Sequence, residues 1–240
     1  MIVSISPPHY FPSADLIHRI ALSGVHVIQD TIPFEENGMS YRCKIQSPVG
    51  WKYLNVPVLS KTGDVNTPLK EIGIYTSKPW EKNHLDAVIF SYKKAPFFKQ
   101  YIPFIEEILT KKWDNILEIN LAIYQFIIKD LELHTRLVLA SDYKAEGKYM
   151  DQVVHLVDAL IAEVYFAESY QKPYLETEKY REKLSEIQVK VVYQNYKPAV
   201  YKQLHSPFAP LLSVIDLFMN LGKKTLQTIL KGNVKKIRGY

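Results

Sequence analysis

The chain has 240 residues, of which 47% are hydrophobic and 12% aromatic, so it can bury a substantial core as one domain or two small ones. Its single cysteine, Cys43, excludes an internal disulfide and a cysteine-based metal cluster. The net charge of +5 is located at the end: residues 223–240 carry six basic side chains and no acid, leaving about −1 on the first 222 residues, which argues against a nucleic-acid-binding face.

No apolar run approaches the roughly 20 residues that span a bilayer. The opening, MIVSISPPHY, lacks the basic start and long apolar core of a signal peptide. We therefore expect a cytoplasmic protein without a transmembrane segment. Residues 223–240 are expected to form a basic C-terminal tail, either a solvated, frayed terminus or a peripheral contact for acidic membrane lipid or a partner.

The chain begins with a short apolar strand, Ile2 to Ile5, that runs directly into the loop at residues 6–12. Prolines in this loop fix φ and remove backbone donors, so regular structure is excluded there. His9 and Tyr10 are therefore presented from a stiff platform.

Ser13 suits the N-cap of a helix that ends by Gly24, and a second apolar run, Val25 to Ile28, is followed by Asp30. A strand that stops at a rigid loop, then a helix and a strand with a carboxylate at its end, is how open α/β sheets build a ligand crevice. This arrangement makes Asp30 a candidate site residue.

The next region predicts a β-hairpin, with strands near 42–45 and 51–56 around a turn at 47–50, and a further short strand near 71–75. Arg42 and Lys44 alternate with apolar residues, so both cations should emerge on one face. Paired cations on a strand suit a diphosphate or a carboxylate. A solvated strand face is the alternative.

From Pro79 the pattern becomes helical, with further helices expected at about 97–110 and 115–132. Trp80 and His84 stand four residues apart and share a helix face. A histidine beside an aromatic ring can act as a general base or lie at a ligand's edge, or it can be an ordinary half-buried residue.

A segment of cations and aromatics on a proline-stiffened turn follows at 92–98 and includes Tyr92 and Lys93. It could hold a phosphate or a sugar ring, or it could clamp two helices. Asp216, flanked by apolar residues, should be paired if it is buried, and we expect it to be structural rather than part of a site.

Strands alternate with helices in the second half, which indicates βαβ crossovers and a parallel sheet. The strands are expected near 135–141, 163–167 and 189–193, and the helices near 149–161, 174–185 and 209–221. The predicted fold is α/β: a three-layer, mostly parallel, Rossmann-like sheet in one domain, 1–222. The hairpin insertion (about 40–76) and the helical segment (about 79–132) interrupt it.

Familiar catalytic motifs are missing from the sequence. There is no glycine-rich phosphate loop, no GxSxG elbow and no HExxH metal motif. The histidines are too isolated to be named metal ligands. The sequence therefore indicates no metal site and does not identify a cofactor.

Taken in order, these segments resemble the WbqC-like protein family of bacterial polysaccharide and natural-product gene clusters. The similarity extends to about residue 222, and it is carried by Pro8 to Pro12, Asp30, Arg42 to Ile45, Gly50, Leu54 to Val58, Trp80 with His84, Tyr92 with Pro96 to Phe98, Tyr201 with Gln203, and Phe208 to Leu217. Where the family often has Gln, Trp and Asn, this chain has Pro7, Ser13 and Tyr41. If that Gln contacts ligand, the contact is altered here.

The resemblance implies a transferase of surface-sugar assembly, in some members glycine or aminoacyl transfer to an amino sugar. The attacking amine would need a base such as His9 or His84, and Arg42 with Lys44 would hold a nucleotide diphosphate. The alternatives are a non-catalytic ligand-binding or scaffolding module, and nucleotidyl transfer. The candidate catalytic residues are His9, His84 and Asp30, and the candidate substrate-binding residues are Tyr10, Arg42, Lys44, Trp80, Tyr92 and Lys93.

Overall fold

The computed structural model describes residues 1–59, 66–75, 77, 79–145 and 147–232. The strands are β1 (Ile2–Ser6), β2 (Val25–Ile28), β3 (Arg42–Ser47), β4 (Gly50–Asn55), β5 (Val58–Leu59), β6 (Gly73–Ile74), β7 (Arg136–Leu139), β8 (Val164–Ala167) and β9 (Lys190–Tyr193). The helices are α1 (Ala14–Ala21), α2 (Trp80–Tyr92), α3 (Phe98–Thr110), α4 (Ile116–Asp130), α5 (Tyr149–Ala159), α6 (Lys172–Leu175), α7 (Glu178–Glu186), α8 (Val214–Leu221) and α9 (Thr225–Lys231). None of the helices in these ranges is long and apolar enough to cross a bilayer.

The central sheet is parallel throughout and has the strand order β7-β2-β1-β8-β9. The chain builds outward from β1 to β2 and β7, and then returns to the other side of β1 to add β8 and β9. The strand order therefore reverses between β1 and β8, and such a reversal opens a crevice at the carboxyl ends of the two strands. The predicted three-layer, Rossmann-like α/β fold is confirmed.

Helices cover both faces of this sheet, because successive strand residues point to opposite sides. One face packs on α5 and α7, through a buried cluster that includes Val3, Ile5, Val25, Val27, Val153, Leu156 and Leu184. The opposite face packs on α1 and α4, through a cluster of Leu16, Ile20, Ile28, Leu117 and Tyr124.

The segment between β2 and β7 holds the hairpin and α2 to α4, which share a large apolar core with α8. The hairpin strands β3 and β4 extend to Ser47 and Gly50, leaving Pro48 and Val49 as a two-residue turn. Gly50 has a φ of +118°, a backbone conformation that residues with a side chain rarely adopt. Residues 60–65 and 76 of the predicted hairpin insertion lie outside the described residues.

Two helices differ from the sequence pattern. The helix expected at 209–221 begins only at Val214, since Leu211 has a positive φ of 54° and Ser213 is extended and bridges to Ser13. The helix expected at 174–185 is divided into α6 and α7, because the backbone of Thr177 is extended at the position that precedes the second helix.

Described structure continues past the predicted domain end at residue 222. Helix α9 packs against α1 and buries Thr225 and Ile229. Gly222 makes the preceding turn at φ +57°, where a Cβ would lie 2.5 Å from the Phe97 ring. The remainder of the predicted basic tail, 233–240, lies outside the described residues.

Candidate functional site

A cleft lies at the carboxyl ends of β1 and β8, where the strand order reverses. Pro7 and His9 enter it from the loop after β1, Glu168 and Tyr170 enter from the segment after β8, and residues 32–40 form much of the third wall. Its volume is about 200 Å³. This is the position at which open parallel sheets bind ligands, so it is the strongest candidate site of the fold.

His9 lines this cleft with a half-buried imidazole ring. Its backbone N–H donates to the Tyr124 hydroxyl at 3.1 Å, which fixes the loop, while its Nδ1 is buried without a hydrogen-bond partner in the structure. Burial lowers the pKa of His9 to about 4; Asp15 opposes this shift and Arg19 adds to it. The imidazole is therefore neutral at pH 7 and can accept a proton or a hydrogen bond.

Glu168 forms an ion pair with a buried arginine, Arg19. Arg19 Nη1 lies 2.8 Å from Glu168 Oε2 and also donates to Gln194 Oε1 at 3.3 Å, and its side chain is fully buried. Burial disfavours the charged guanidinium, but Glu168 and Asp15 raise the pKa of Arg19 above its ordinary value. Burial likewise raises the pKa of the Glu168 carboxyl, and Arg19 opposes that rise. The cleft is thus lined by a carboxyl group whose position is set by an ion pair.

Tyr170 lies at the mouth of the cleft with about half of its surface exposed. Its hydroxyl donates to the Tyr149 hydroxyl at 3.1 Å, and Gln171 Nε2 donates to the same oxygen at 2.9 Å. The Tyr165 hydroxyl in turn donates to Gln171 Oε1 at 2.8 Å. These bonds orient the half-exposed Tyr170 ring.

Asp30, proposed from the end of the second strand, is buried beside this region and does not line the cleft. Its Oδ1 accepts the backbone N–H of Ser141 at 2.9 Å, and its backbone carbonyl accepts the N–H of Lys70. Asp30 therefore ties the ends of β2 and β7 together.

Tyr10, Trp80 and His84 meet in the core rather than in the cleft. The Tyr10 hydroxyl lies 3.0 Å from His84 Nδ1, and His84 Nε2 lies 3.1 Å from the carbonyl oxygen of Asn55. A carbonyl only accepts, so Nε2 carries the proton and Nδ1 accepts from Tyr10. The Trp80 and His84 rings meet edge to face, with their centres 5.2 Å apart. Burial lowers the pKa of His84 to about 4.

Arg42 and Lys44 share the outer face of the hairpin, as their alternation predicted, while Cys43 and Ile45 are buried. The Arg42 guanidinium lies 4.7 Å from the centre of the Tyr53 ring, and Lys44 Nζ lies 4.8 Å from that of Trp51. Arg42 also donates to the carbonyl of Asn37, in the loop that lines the cleft. Arg42 is therefore tethered to a wall of the cleft without lining it.

The predicted site residues thus occupy separate places. His9 lines the cleft, Tyr10 with Trp80 and His84 lies in the core, Tyr92 lies in a third buried cluster, and Lys93 is exposed after α2. Arg19, Glu168 and Tyr170 were not anticipated from the sequence. One signal was available for Glu168, a carboxylate directly following a fully apolar strand. Within the described residues no three His, Cys, Asp or Glu side chains are grouped so that they could hold a metal ion.

Comparison with known proteins places these observations in a family. The model of the WbqC-like protein family matches residues 7–228. This chain belongs to that family. A relative that is 26% identical over 225 residues is the uncharacterized protein Rv1507c of Mycobacterium tuberculosis (strain ATCC 25618 / H37Rv), with 92% of this chain and 94% of the relative covered. No solved structure matches the chain.

The WbqC-like tail motif forms a buried hydrogen-bond network around Asp216. Its Oδ2 accepts from the Tyr201 hydroxyl at 2.6 Å and from Gln203 Nε2 at 3.1 Å, and its Oδ1 accepts from the Tyr92 hydroxyl at 3.0 Å. Tyr92 also accepts the backbone N–H of Gln46 at 3.0 Å. The network joins α8 to α2, β3 and the 201–203 segment, so this WbqC-like motif supports the framework rather than the cleft.

Replacing Asp216 with Asn should lower the free energy of unfolding by about 3 kcal/mol. The amide has one acceptor oxygen in place of two, so a donor of the network loses its partner, and hydrogen bonds to charged groups contribute roughly 1.5–3 kcal/mol each. Urea unfolding at pH 7 measures the change, with Asp158→Asn on the exposed side of α5 as the control. An unchanged urea midpoint would contradict the structural role of Asp216.

Proposed function

We propose that this chain is a cytoplasmic transferase that joins an acyl or aminoacyl group to the amine of a nucleotide-activated amino sugar. The observation that carries the proposal is the cleft at the strand-order reversal, in which the imidazole of His9 and the Arg19-held carboxyl of Glu168 line one cavity. Membership of the WbqC-like family supports the substrate class, because the sequence resemblance implies a role in surface-sugar assembly.

The chemistry requires a proton acceptor next to the amine. As the amine nitrogen bonds to the acyl carbon, the bond from that carbon to its activating group breaks, and the nitrogen must lose a proton. In this proposal the neutral His9 imidazole takes the proton, and the Glu168 carboxylate stabilises the imidazolium that results. Arg19 keeps Glu168 in place and does not itself react.

The cleft is smaller than the roughly 300–1,000 Å³ of typical ligand pockets. At about 200 Å³ it would take the reacting ends of the two substrates rather than a whole nucleotide sugar. We propose that the rest of the sugar nucleotide extends past Tyr170, whose exposed ring suits stacking. Arg42 and Lys44 remain the candidates for its diphosphate, because Arg42 is tethered to the loop that lines the cleft.

Substituting His9 with Ala should lower kcat by about 10²- to 10⁴-fold, the usual contribution of a positioned acid or base. Assays would pair nucleotide-activated amino sugars with activated acyl or aminoacyl donors. A sugar nucleotide present at 100 times its dissociation constant should stabilise the wild-type chain by about 2.7 kcal/mol, and this stabilisation should persist in the variant. His134→Ala, at an exposed position, is the matched control. If no sugar nucleotide raises the melting temperature, the substrate is wrong. If His9→Ala is fully active, the base is wrong.

A non-catalytic binding module is the second candidate, and one observation favours it. Several residues that carry the family resemblance, including Tyr10, His84 and Asp216, are buried framework and do not line the cleft. For such a module, His9→Ala would weaken ligand binding, and no turnover would be found for any donor. Nucleotidyl transfer is disfavoured: Asp15 lies in the first turn of α1 and accepts the Ser13 hydroxyl, so the helix start would repel phosphate.

A further inference from the structure

A surface patch around the tip of the hairpin combines exposed apolar side chains with lysines. At the tip, Val49 is 95% exposed and Trp51 is 55% exposed, and on α2 Phe90 is 59% exposed. A shallow groove of about 340 Å³ joins the tip to α2, lined by Pro48, Phe90, Lys93, Lys94 and Leu204, among others. We call these residues, together with Val49, the hairpin-tip patch.

Two hydrogen bonds hold the segments of this patch in place. His205 lies with Nε2 2.8 Å from the carbonyl oxygen of Ser91, which holds the 204–205 segment against the end of α2. Gln46 Nε2 donates to the carbonyl of Pro207 at 2.9 Å, which holds the hairpin against the same segment. The apolar residues are therefore displayed on a fixed surface and are not loosely attached side chains.

Basic side chains outnumber acidic ones in the segments that supply the patch. Residues 42–59, 87–105 and 195–215, which supply the patch, contain lysines and one arginine but no acidic residue. The acid nearest to Phe90 in sequence is Asp86, one turn earlier on α2, and it faces Lys82 at 3.5 Å. Since the first 222 residues are close to neutral, this patch is a local excess of positive charge.

Three kinds of binding partner would use different features of this patch. A nucleic acid would bind the cations but would gain little from a fully exposed Val49. A protein partner would be expected to take a larger apolar surface with fewer lysines at its centre. A membrane surface interacts favourably with both features, because aromatic and aliphatic side chains enter the headgroup region while lysines reach anionic lipid. We propose that the hairpin-tip patch docks the protein on an anionic membrane surface.

The proposal is independent of the chemistry assigned to the cleft. It also differs from the expected contact through the basic C-terminal tail, because the patch lies on the hairpin and α2. Reversible attachment of this kind needs two contributions, an apolar one and an electrostatic one. The patch supplies both from one surface.

The test is co-sedimentation of the full chain with vesicles of phosphatidylglycerol and phosphatidylcholine, compared with vesicles of phosphatidylcholine alone. Binding should require the anionic lipid. It should weaken in about 0.5 M salt, because salt at that concentration screens the attraction between exposed lysines and anionic headgroups. Lys93→Gln with Lys94→Gln should lower the partition coefficient about 30-fold, or about fivefold for each lysine. Phe90→Ala should lower it further, because Phe90 supplies an exposed apolar ring of the groove.

Control substitutions test whether binding depends on this patch or on cations elsewhere in the chain. Arg181→Gln with Lys190→Gln removes two exposed cations elsewhere and should leave binding unchanged. Lys235→Gln with Lys236→Gln tests the tail. The proposal is overturned if vesicle binding is absent, if only the tail variant loses binding, or if double-stranded DNA binds as tightly as anionic vesicles through the same two lysines.

Discussion

Between pH 6.5 and pH 4 the free energy of unfolding should fall steeply, because buried histidines stay neutral in the folded chain. Burial lowers the pKa of His9, His18 and His84 to about 4 in each case. The same side chains in the unfolded chain titrate near their ordinary value of about 6.5. Over this interval the unfolded state therefore binds more protons than the folded state, and stability is lost as the pH falls.

The expected loss of unfolding free energy follows from how far each histidine pKa is lowered. A histidine whose pKa moves from about 6.5 to about 4 contributes up to about 3 kcal/mol of acid destabilisation, complete by pH 4. Carboxyl groups offset part of this loss. Burial raises the pKa values of Glu168 and Asp216, so both groups favour the folded state as the pH falls through their folded pKa values. We expect the histidines to dominate, because their shifts act together over one pH range.

Urea unfolding at pH 7, 5.5 and 4.5 measures this dependence. His18→Gln and His84→Gln should each reduce the proton uptake on unfolding by up to one proton, even though each variant starts from a lower stability. His134→Gln serves as the exposed control. A urea midpoint that is constant from pH 7 to 4.5 would contradict the neutral, buried state of these histidines.

The strand–helix alternation identified the parallel sheet because its signal is local. Each strand of the second half contains a short apolar run, and each is separated from the next by a helical pattern. The central one, Val164–Ala167, is buried on both faces, whereas the edge strands β7 and β9 are partly exposed. The order of strands in the sheet is not local. It depends on which side of β1 the chain returns to, and only the coordinates reveal that β8 lies beside β1.

The site was harder to predict because its sequence signals resemble those of a buried core. Tyr10, His84 and Trp80 carry the chemistry of a site, yet they satisfy one another in the interior. Conversely, Arg19 falls on the sheet-facing side of an ordinary amphipathic helix, and nothing in its neighbours indicates a partner 149 positions away at Glu168. Pairing over that distance follows from the return of the chain to β1.

Removing either member of the Arg19–Glu168 pair should lower the melting temperature by about 6–20 °C. Breaking a buried ion pair costs about 3–5 kcal/mol because one charge is left without its partner, and each kcal/mol shifts the midpoint of a chain of this size by about 2–4 °C. Glu168→Leu should be the more severe change, since Arg19 is fully buried whereas the Glu168 side chain retains 24% of its exposure.

The double variant Arg19→Met with Glu168→Leu provides the decisive comparison. It removes both charges, so it should be more stable than the sum of the two single changes implies, and it should approach wild-type stability. The exposed pair Lys172–Glu176, at 3.7 Å, is the matched control, and Lys172→Met with Glu176→Leu should change stability by less than about 1 kcal/mol. If the Arg19 and Glu168 changes are additive, the two side chains are not energetically coupled, and Arg19 cannot be what holds the Glu168 carboxyl in the cleft.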